Sequence, residues 1–82
     1  MDYQNFIEWL KTDHGMGERS ARDVLPRLKR VVKITNATDV DENTVALLEI
    51  CEEFANASSF IKSQLKRSVV LYTEFMTANE EN

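Results

Sequence analysis

The sequence has little cysteine, proline, glycine and histidine, and no long run of apolar residues. Its 82 residues contain one cysteine, one proline, two glycines and one histidine. The single Cys51 excludes an internal disulfide, so we expect a fold held by its core in a reducing, cytoplasmic environment. No apolar run approaches the ~20 residues of a membrane-spanning helix, and no signal peptide is evident, so no membrane role is expected.

The composition is that of one small globular domain. Apolar residues make up 43% of the chain and charged residues 29%, which is ordinary for a folded protein and too apolar for a disordered one. A domain of this size buries roughly 60% of the surface of its unfolded chain. We expect one domain over residues 1–76, followed by a frayed acidic C-terminal tail at 77–82.

Apolar residues recur with helical spacing along nearly the whole chain. Four helices are predicted, separated by turn-forming stretches at 12–17, 35–38 and 55–57. The expected core residues of the first two helices are Tyr3, Phe6, Ile7, Leu10, Ala21, Val24, Leu25, Leu28, Val31 and Val32. Those of the third and fourth are Leu47, Ile50, Cys51, Phe54, Phe60, Ile61, Leu65, Val69, Tyr72, Phe75 and Met76. Because no segment alternates with the two-residue period of a strand, the sequence predicts an all-α fold, a compact four-helix bundle with short connections.

Polar residues predict where these helices begin. The expected N-caps are Ser20 for the second helix, Asp39 or Asp41 for the third, and Ser58 or Ser59 for the fourth. Pro26 lies within the second apolar pattern, on its polar side. Because proline has no backbone N–H, we expect Pro26 to kink this helix or to shift its start.

Few side chains in this sequence are suited to catalysis. His14 lies in a glycine-flanked loop without a second His or Cys at metal-ligand spacing, so it is interpreted as a solvated loop histidine. Cys51 lies on a predicted apolar face, which favours a buried structural thiol over a nucleophile. The fragment 15–17 lacks the length and the lysine of a phosphate-binding loop. We therefore expect no enzymatic activity, metal, cofactor or small-molecule substrate.

The charged residues are segregated along the chain. Nine of the ten basic residues lie at 19–33 or 62–67, whereas the segment 39–53 contains six acids and no base. The net charge of −4 therefore conceals a dipolar charge distribution. Since a polyanion responds to the local electric field, the acidic average does not exclude nucleic acid as a partner.

The basic residues of the second predicted helix share the face opposite its apolar side. An exposed helix of this kind fits the major groove and can follow the phosphates of duplex DNA, and the fourth helix offers a second basic segment. The candidate DNA-binding residues are Arg19, Arg22, Lys29, Arg30, Lys33, Lys62, Lys66 and Arg67. Two alternatives fit the same pattern. The charges are simply solvated, or the basic helix docks on an acidic protein or on the acidic third helix of a second copy.

Several stretches of the chain follow one another in a distinctive order. They are Phe6–Leu10, Glu18–Leu25 running into Leu28–Arg30, and Ser58–Arg67 followed by Tyr72–Phe75. Over about residues 3–76 this order resembles the N-terminal core-binding domain of tyrosine recombinases (phage integrases).

This resemblance implies a four-helix, SAM-like bundle that clamps one side of the DNA. It implies that the second and fourth helices face the duplex, which are the two basic helices here. It also implies a non-catalytic module, because the Arg/His/Tyr catalytic set of that family lies in a separate domain. The chain would then be a fragment of a recombinase, or a free-standing phage or bacterial relative that lacks strand-transfer activity or has changed its partner.

Overall fold

The fold is described from a computed structural model, which covers residues 2–37 and 39–80. Within these residues the helices are α1 Tyr3–Thr12, α2 Glu18–Thr35, α3 Thr44–Glu49, α4 Glu52–Ala55 and α5 Ser59–Glu80. No strand occurs in the described part of the chain. The all-α class is therefore confirmed, in a globule of 35 × 25 × 15 Å, but five helices take the place of the expected four.

The predicted third helix is divided in two at Cys51. Helix α3 ends at Glu49 with Ile50 as its C-cap, and Cys51 adopts an extended backbone, with φ −81° and ψ 130°, before α4 begins. The Cys51 thiol lies 3.2 Å from the carbonyl oxygen of Leu47 and 3.7 Å from that of Ile34. The half-buried thiol therefore donates toward backbone acceptors in α3 and α2.

This break changes which apolar side chains reach the core. Leu48 and Phe54 are buried, whereas Leu47 and Ile50, both expected in the core, are 45% and 80% exposed. The prediction for these two residues was wrong because it assumed one continuous helix over both segments. Phe60 was also misplaced: it lies in the first turn of α5 and is 70% exposed, on a different side of that turn from Ile61, which packs against the core.

The core lies where α1, α2 and α5 pack together, and α3 and α4 add one large side chain each. Its buried apolar residues are Phe6, Leu10, Ala21, Val24, Leu28, Val31, Val40, Leu48, Phe54, Leu65, Val69, Leu71, Tyr72 and Phe75. The ring centroid of Phe6 lies 5.1 Å from that of Tyr72 and 5.5 Å from that of Phe75. Because each large apolar side chain contributes about 1.5–3 kcal/mol when buried, this aromatic cluster holds α1 on α5.

One of the predicted N-caps is confirmed and two are wrong. The Ser58 hydroxyl accepts a hydrogen bond from the Ile61 amide at 3.2 Å, as expected for the start of α5. Helix α2 begins at Glu18, after an extended Gly17 that makes no side-chain cap, so Ser20 lies inside the first turn.

The start of α3 also differs from its prediction. The carboxylate of Asp39 accepts from the Val40 amide, and that of Asp41 accepts from the Asn43 amide. Both side chains are thus used in turns before the helix, which begins only at Thr44. Thr38, in the predicted 35–38 linker, lies outside the described residues.

Helix α2 runs through Pro26 and ends at Thr35, followed by Asn36 in the left-handed conformation (φ 54°). Pro26 lies on the exposed side, and the helix begins well before it. Helix α5 extends to Glu80 through the segment expected to fray, and residues 81–82 lie outside the described part. Within that part, none of the helices combines the length and the apolar character needed to cross a membrane.

Candidate nucleic-acid interface

Five of the predicted DNA-binding residues lie together on the outer side of α2. Its inward side is formed by Ala21, Val24, Leu28 and Val31, which anchor the helix in the core. The opposite side carries an exposed set that we call the α2 ridge: Arg19, Arg22, Lys29, Arg30 and Lys33. With a rise of about 1.5 Å per residue, the ridge spans about 21 Å along the helix. The structure thus brings these five cations onto one solvent-facing surface.

Two members of the α2 ridge have partners within the described residues. A guanidinium nitrogen of Arg22 lies 3.2 Å from a carboxylate oxygen of Glu18, one turn earlier. Because both side chains are exposed, this pair contributes little to stability and can open at little cost. The Lys29 ammonium lies 5.2 Å from the ring centroid of Tyr3.

The other three members of the ridge have no described acid within salt-bridge distance. No carboxylate of residues 2–37 and 39–80 lies within 4.0 Å of the charged nitrogens of Arg19, Arg30 or Lys33. A shallow depression does bring Glu53 of α4 beside Lys29, Arg30 and Lys33. This carboxylate reduces the positive field at that end of the ridge without forming an ion pair there.

Lys62 and Lys66 are directed toward α3 and α4 rather than forming a second exposed ridge. Each ammonium lies 5.8 Å from the ring centroid of Phe54, in cation–π geometry. Lys66 also forms a 2.8 Å ion pair with Glu49. These half-buried lysines therefore brace α5 against the two short helices.

Arg67 points away from Lys62 and Lys66 and lines a cleft between α2 and α5. The cleft also contains Arg27 of α2, which is not among the candidate DNA-binding residues and lies at the border between the basic and apolar sides of that helix. A residue at the border between the polar and apolar sides of a helix lies close to the adjacent helix. This position was the only feature of the sequence that indicated a contact for Arg27. The eight predicted residues are therefore divided among the ridge, the α3–α4 contact and this cleft.

An acidic surface occupies another part of the molecule. Asp39, Asp41 and Glu42 line a depression with Glu80, between the α2–α3 connection and the end of α5. The charge segregation read along the sequence is thus retained in three dimensions, which gives the surface distinct basic and acidic areas.

His14 is less free than a solvated loop histidine. Its Nε2 lies 3.0 Å from a carboxylate oxygen of Glu74, and its ring centroid lies 4.8 Å from that of Trp9. These contacts hold the α1–α2 loop against α5. Among the described residues, no cluster of three or more His, Cys, Asp and Glu side chains is arranged to hold a metal ion.

The buried phenol of Tyr72 belongs to the core. Burial raises the pKa of Tyr72 above its usual value; a hydrogen bond with the backbone of Asp2 opposes this shift, and the negative charges of Asp39 and Asp2 add to it. The neutral form is therefore favoured, which suits packing against Phe6 and Phe75.

Comparison of the chain with protein-family models, with curated proteins and with solved structures finds no match in any of the three. The resemblance to recombinase core-binding domains therefore stays a prediction.

Proposed function

We propose that this protein is a small non-catalytic helical module that binds duplex DNA weakly, mainly through phosphates. The observation that carries the proposal is the α2 ridge, with five exposed cations along about 21 Å of one helix. Three of them, Arg19, Arg30 and Lys33, have no ion-pair partner among the described residues.

The chemistry of the ridge suits phosphate contacts. Each arginine presents a planar fork of N–H donors that matches two oxygens of a phosphate, and each lysine adds a mobile point charge. Four or five such contacts give a log–log dependence of affinity on salt with a slope of about −4. The net charge of −4 and the nearby Glu18 and Glu53 oppose binding, so the expected affinity is low.

The resemblance to recombinase core-binding domains supports the same surface. In that family the second helix faces the duplex, and its counterpart here is α2. By the same analogy the protein would serve mobile-element recombination or its regulation. The contribution proposed for the last helix is smaller than the family implies, because Lys62 and Lys66 contact Phe54 instead.

Fluorescence anisotropy with a labelled duplex, at low and near-physiological salt, tests this proposal. We expect binding by the natural sequence to fall steeply with salt and to be lost in Arg22→Glu/Arg30→Glu. Arg30→Gln/Lys33→Gln should weaken binding, whereas the matched pair Lys62→Gln/Lys66→Gln should weaken it much less. No binding at low salt, or equal losses in the two matched pairs, would contradict the proposal.

A second candidate function is self-association or docking on another protein. It is favoured by Ile50 and Leu47, which are 80% and 45% exposed within the acidic segment. The acidic side chains around these two residues complement the cations of the α2 ridge of a second copy, and the two apolar side chains would add contact area. Sedimentation velocity would then show dimers that dissociate in salt and are absent from Ile50→Asp. A monomer at all concentrations would exclude self-association.

A further inference from the structure

The cleft between α2 and α5 is a second candidate binding surface, separate from the α2 ridge. It is lined by Met16, Val24, Arg27, Gln64, Arg67 and Leu71, together with two serines. We propose that this cleft is a binding site for a phosphoryl group, held between the guanidinium groups of Arg27 and Arg67. Arg27 is not part of the α2 ridge. Binding of a phosphoryl group in the cleft can therefore be tested separately from DNA binding by the ridge.

The two arginines reach the cleft from different helices and lack compensating charges there. Arg27 is half-buried on α2 and Arg67 is exposed on α5. Among the described residues, no acid lines the cleft and neither guanidinium has a carboxylate within 4.0 Å. Two like charges lining one cleft repel each other, and an anion bound between them would relieve that repulsion.

The floor of the cleft strengthens this electrostatic preference. Val24 and Leu71 are 5% and 2% exposed, so the cleft rests directly on the apolar core. Charges that lie against an apolar surface interact more strongly than charges surrounded by water. An anion seated there would therefore gain more from each arginine than it would on the open surface of α2.

The number of donors favours a phosphoryl group over a carboxylate. One arginine fork engages both oxygens of a carboxylate, so a second fork would have to share the remaining lone pairs of the same two oxygens. A phosphoryl group offers more oxygens and can accept from both forks at once. Gln64 and Ser20 supply further donors at the rim, whereas the buried Ser68 hydroxyl donates to the carbonyl of Leu65 at 2.6 Å.

Titration of the protein with inorganic phosphate and pyrophosphate, followed by NMR at constant ionic strength, tests the site. We expect saturable shifts of the Val24, Gln64 and Leu71 amides, and an affinity at least about tenfold lower in Arg27→Gln and in Arg67→Gln. Lys11→Gln, which removes a charge from α1 outside both the α2 ridge and the cleft, should leave the affinity nearly unchanged.

A second variant distinguishes a loss of anion binding from a change in the fold. Arg67→Lys keeps the charge but removes the fork, so it should bind pyrophosphate more weakly than the natural sequence while the circular dichroism spectrum stays the same. The proposal is overturned if the natural sequence shows no saturable shift with either anion. It is also overturned if Arg27→Gln/Arg67→Gln responds as strongly as the natural sequence.

A duplex titration of the same variants distinguishes the source of the phosphoryl group. If Arg67→Gln also weakens DNA binding and pyrophosphate competes with the duplex, the cleft takes a backbone phosphate. If DNA binding is unchanged, or absent from every protein, while the pyrophosphate response depends on both arginines, the site takes a small phosphorylated ligand. DNA binding through the ridge without any response to phosphate would overturn the cleft and leave the proposed function intact.

Discussion

Leu28 and Leu65 show how far the core depends on single side chains. Leu28 is completely buried and Leu65 is 2% exposed, on the two helices that pack most closely together. Leu28→Ala or Leu65→Ala should lower the free energy of unfolding by about 2–5 kcal/mol, because each removes core contacts and leaves a cavity. Urea denaturation measures the loss.

The matched control for this prediction is Leu47→Ala. It removes the same atoms from a side chain that is 45% exposed, so the free energy of unfolding should change by about 0.5 kcal/mol or less. Similar losses at Leu47 and Leu28 would contradict the division between core and surface.

Burial of the Tyr72 phenol should make the free energy of unfolding fall at alkaline pH. Burial raises the pKa of Tyr72 in the folded state, whereas the unfolded chain has the ordinary value of about 10. The contribution of the neutral phenol to stability is therefore fully present below about pH 10 and is lost as pH rises through the folded-state pKa. Tyr72→Phe should show a smaller loss of unfolding free energy between about pH 8 and pH 11. Parallel pH profiles for the two proteins would rule out this role.

Helix α2 contains a proline in its interior, a position that normally lowers helix stability. Pro26 lies inside this 18-residue helix, where it cannot donate a backbone hydrogen bond. Pro26→Ala should raise the free energy of unfolding by on the order of 1–3 kcal/mol, since the site is exposed and alanine is the better helix former. Thermal unfolding followed by circular dichroism is the measurement.

Pro26→Gly separates the two causes of that gain. Glycine restores the backbone N–H but adds freedom to the unfolded chain, so it should stabilise α2 less than alanine does. If both variants were less stable than the natural sequence, the rigid ring would matter more than the missing hydrogen bond.

The short helices α3 and α4 depend on tertiary contacts rather than on their own propensity. With six and four residues, neither is long enough to persist alone in water. They are held by the burial of Leu48 and Phe54, and by the ion pair between Glu49 and Lys66. Their position thus depends on α5, whose two lysines the sequence pattern had assigned to DNA.

At the scale of the whole molecule, the single tryptophan reports on how α1, the α1–α2 loop and α5 meet. The ring centroid of Trp9 lies 5.7 Å from that of Phe75 and 4.8 Å from that of His14. Because α1 shares one core with α2 and α5, we expect unfolding to be two-state. Urea transitions followed by Trp9 fluorescence and by far-ultraviolet circular dichroism should coincide. A tryptophan transition at lower urea would show that α1 detaches first.

Periodicity alone was enough to predict the helical class and most of the core of α1, α2 and α5. Phe6, Leu10, Leu28 and Tyr72 are buried as expected, because each lies on the apolar side of a long amphipathic helix. The Ser58 cap was predictable for a similar reason, since its hydrogen bond joins residues only three apart. The exposed α2 ridge follows from the same spacing.

Other features were decided only when distant segments came together. The break at Cys51, where the thiol contacts the carbonyls of Leu47 and Ile34, left Ile50 in solvent. Packing of α5 against α4 directed Lys62 and Lys66 onto Phe54. The cleft of Arg27 and Arg67 joins residues forty positions apart. Helix phase and the outward side of α2 could be predicted from the sequence, because both depend on neighbours within a few turns. Which cations are paired, braced or brought together could not be predicted in this way, because those arrangements depend on contacts between helices.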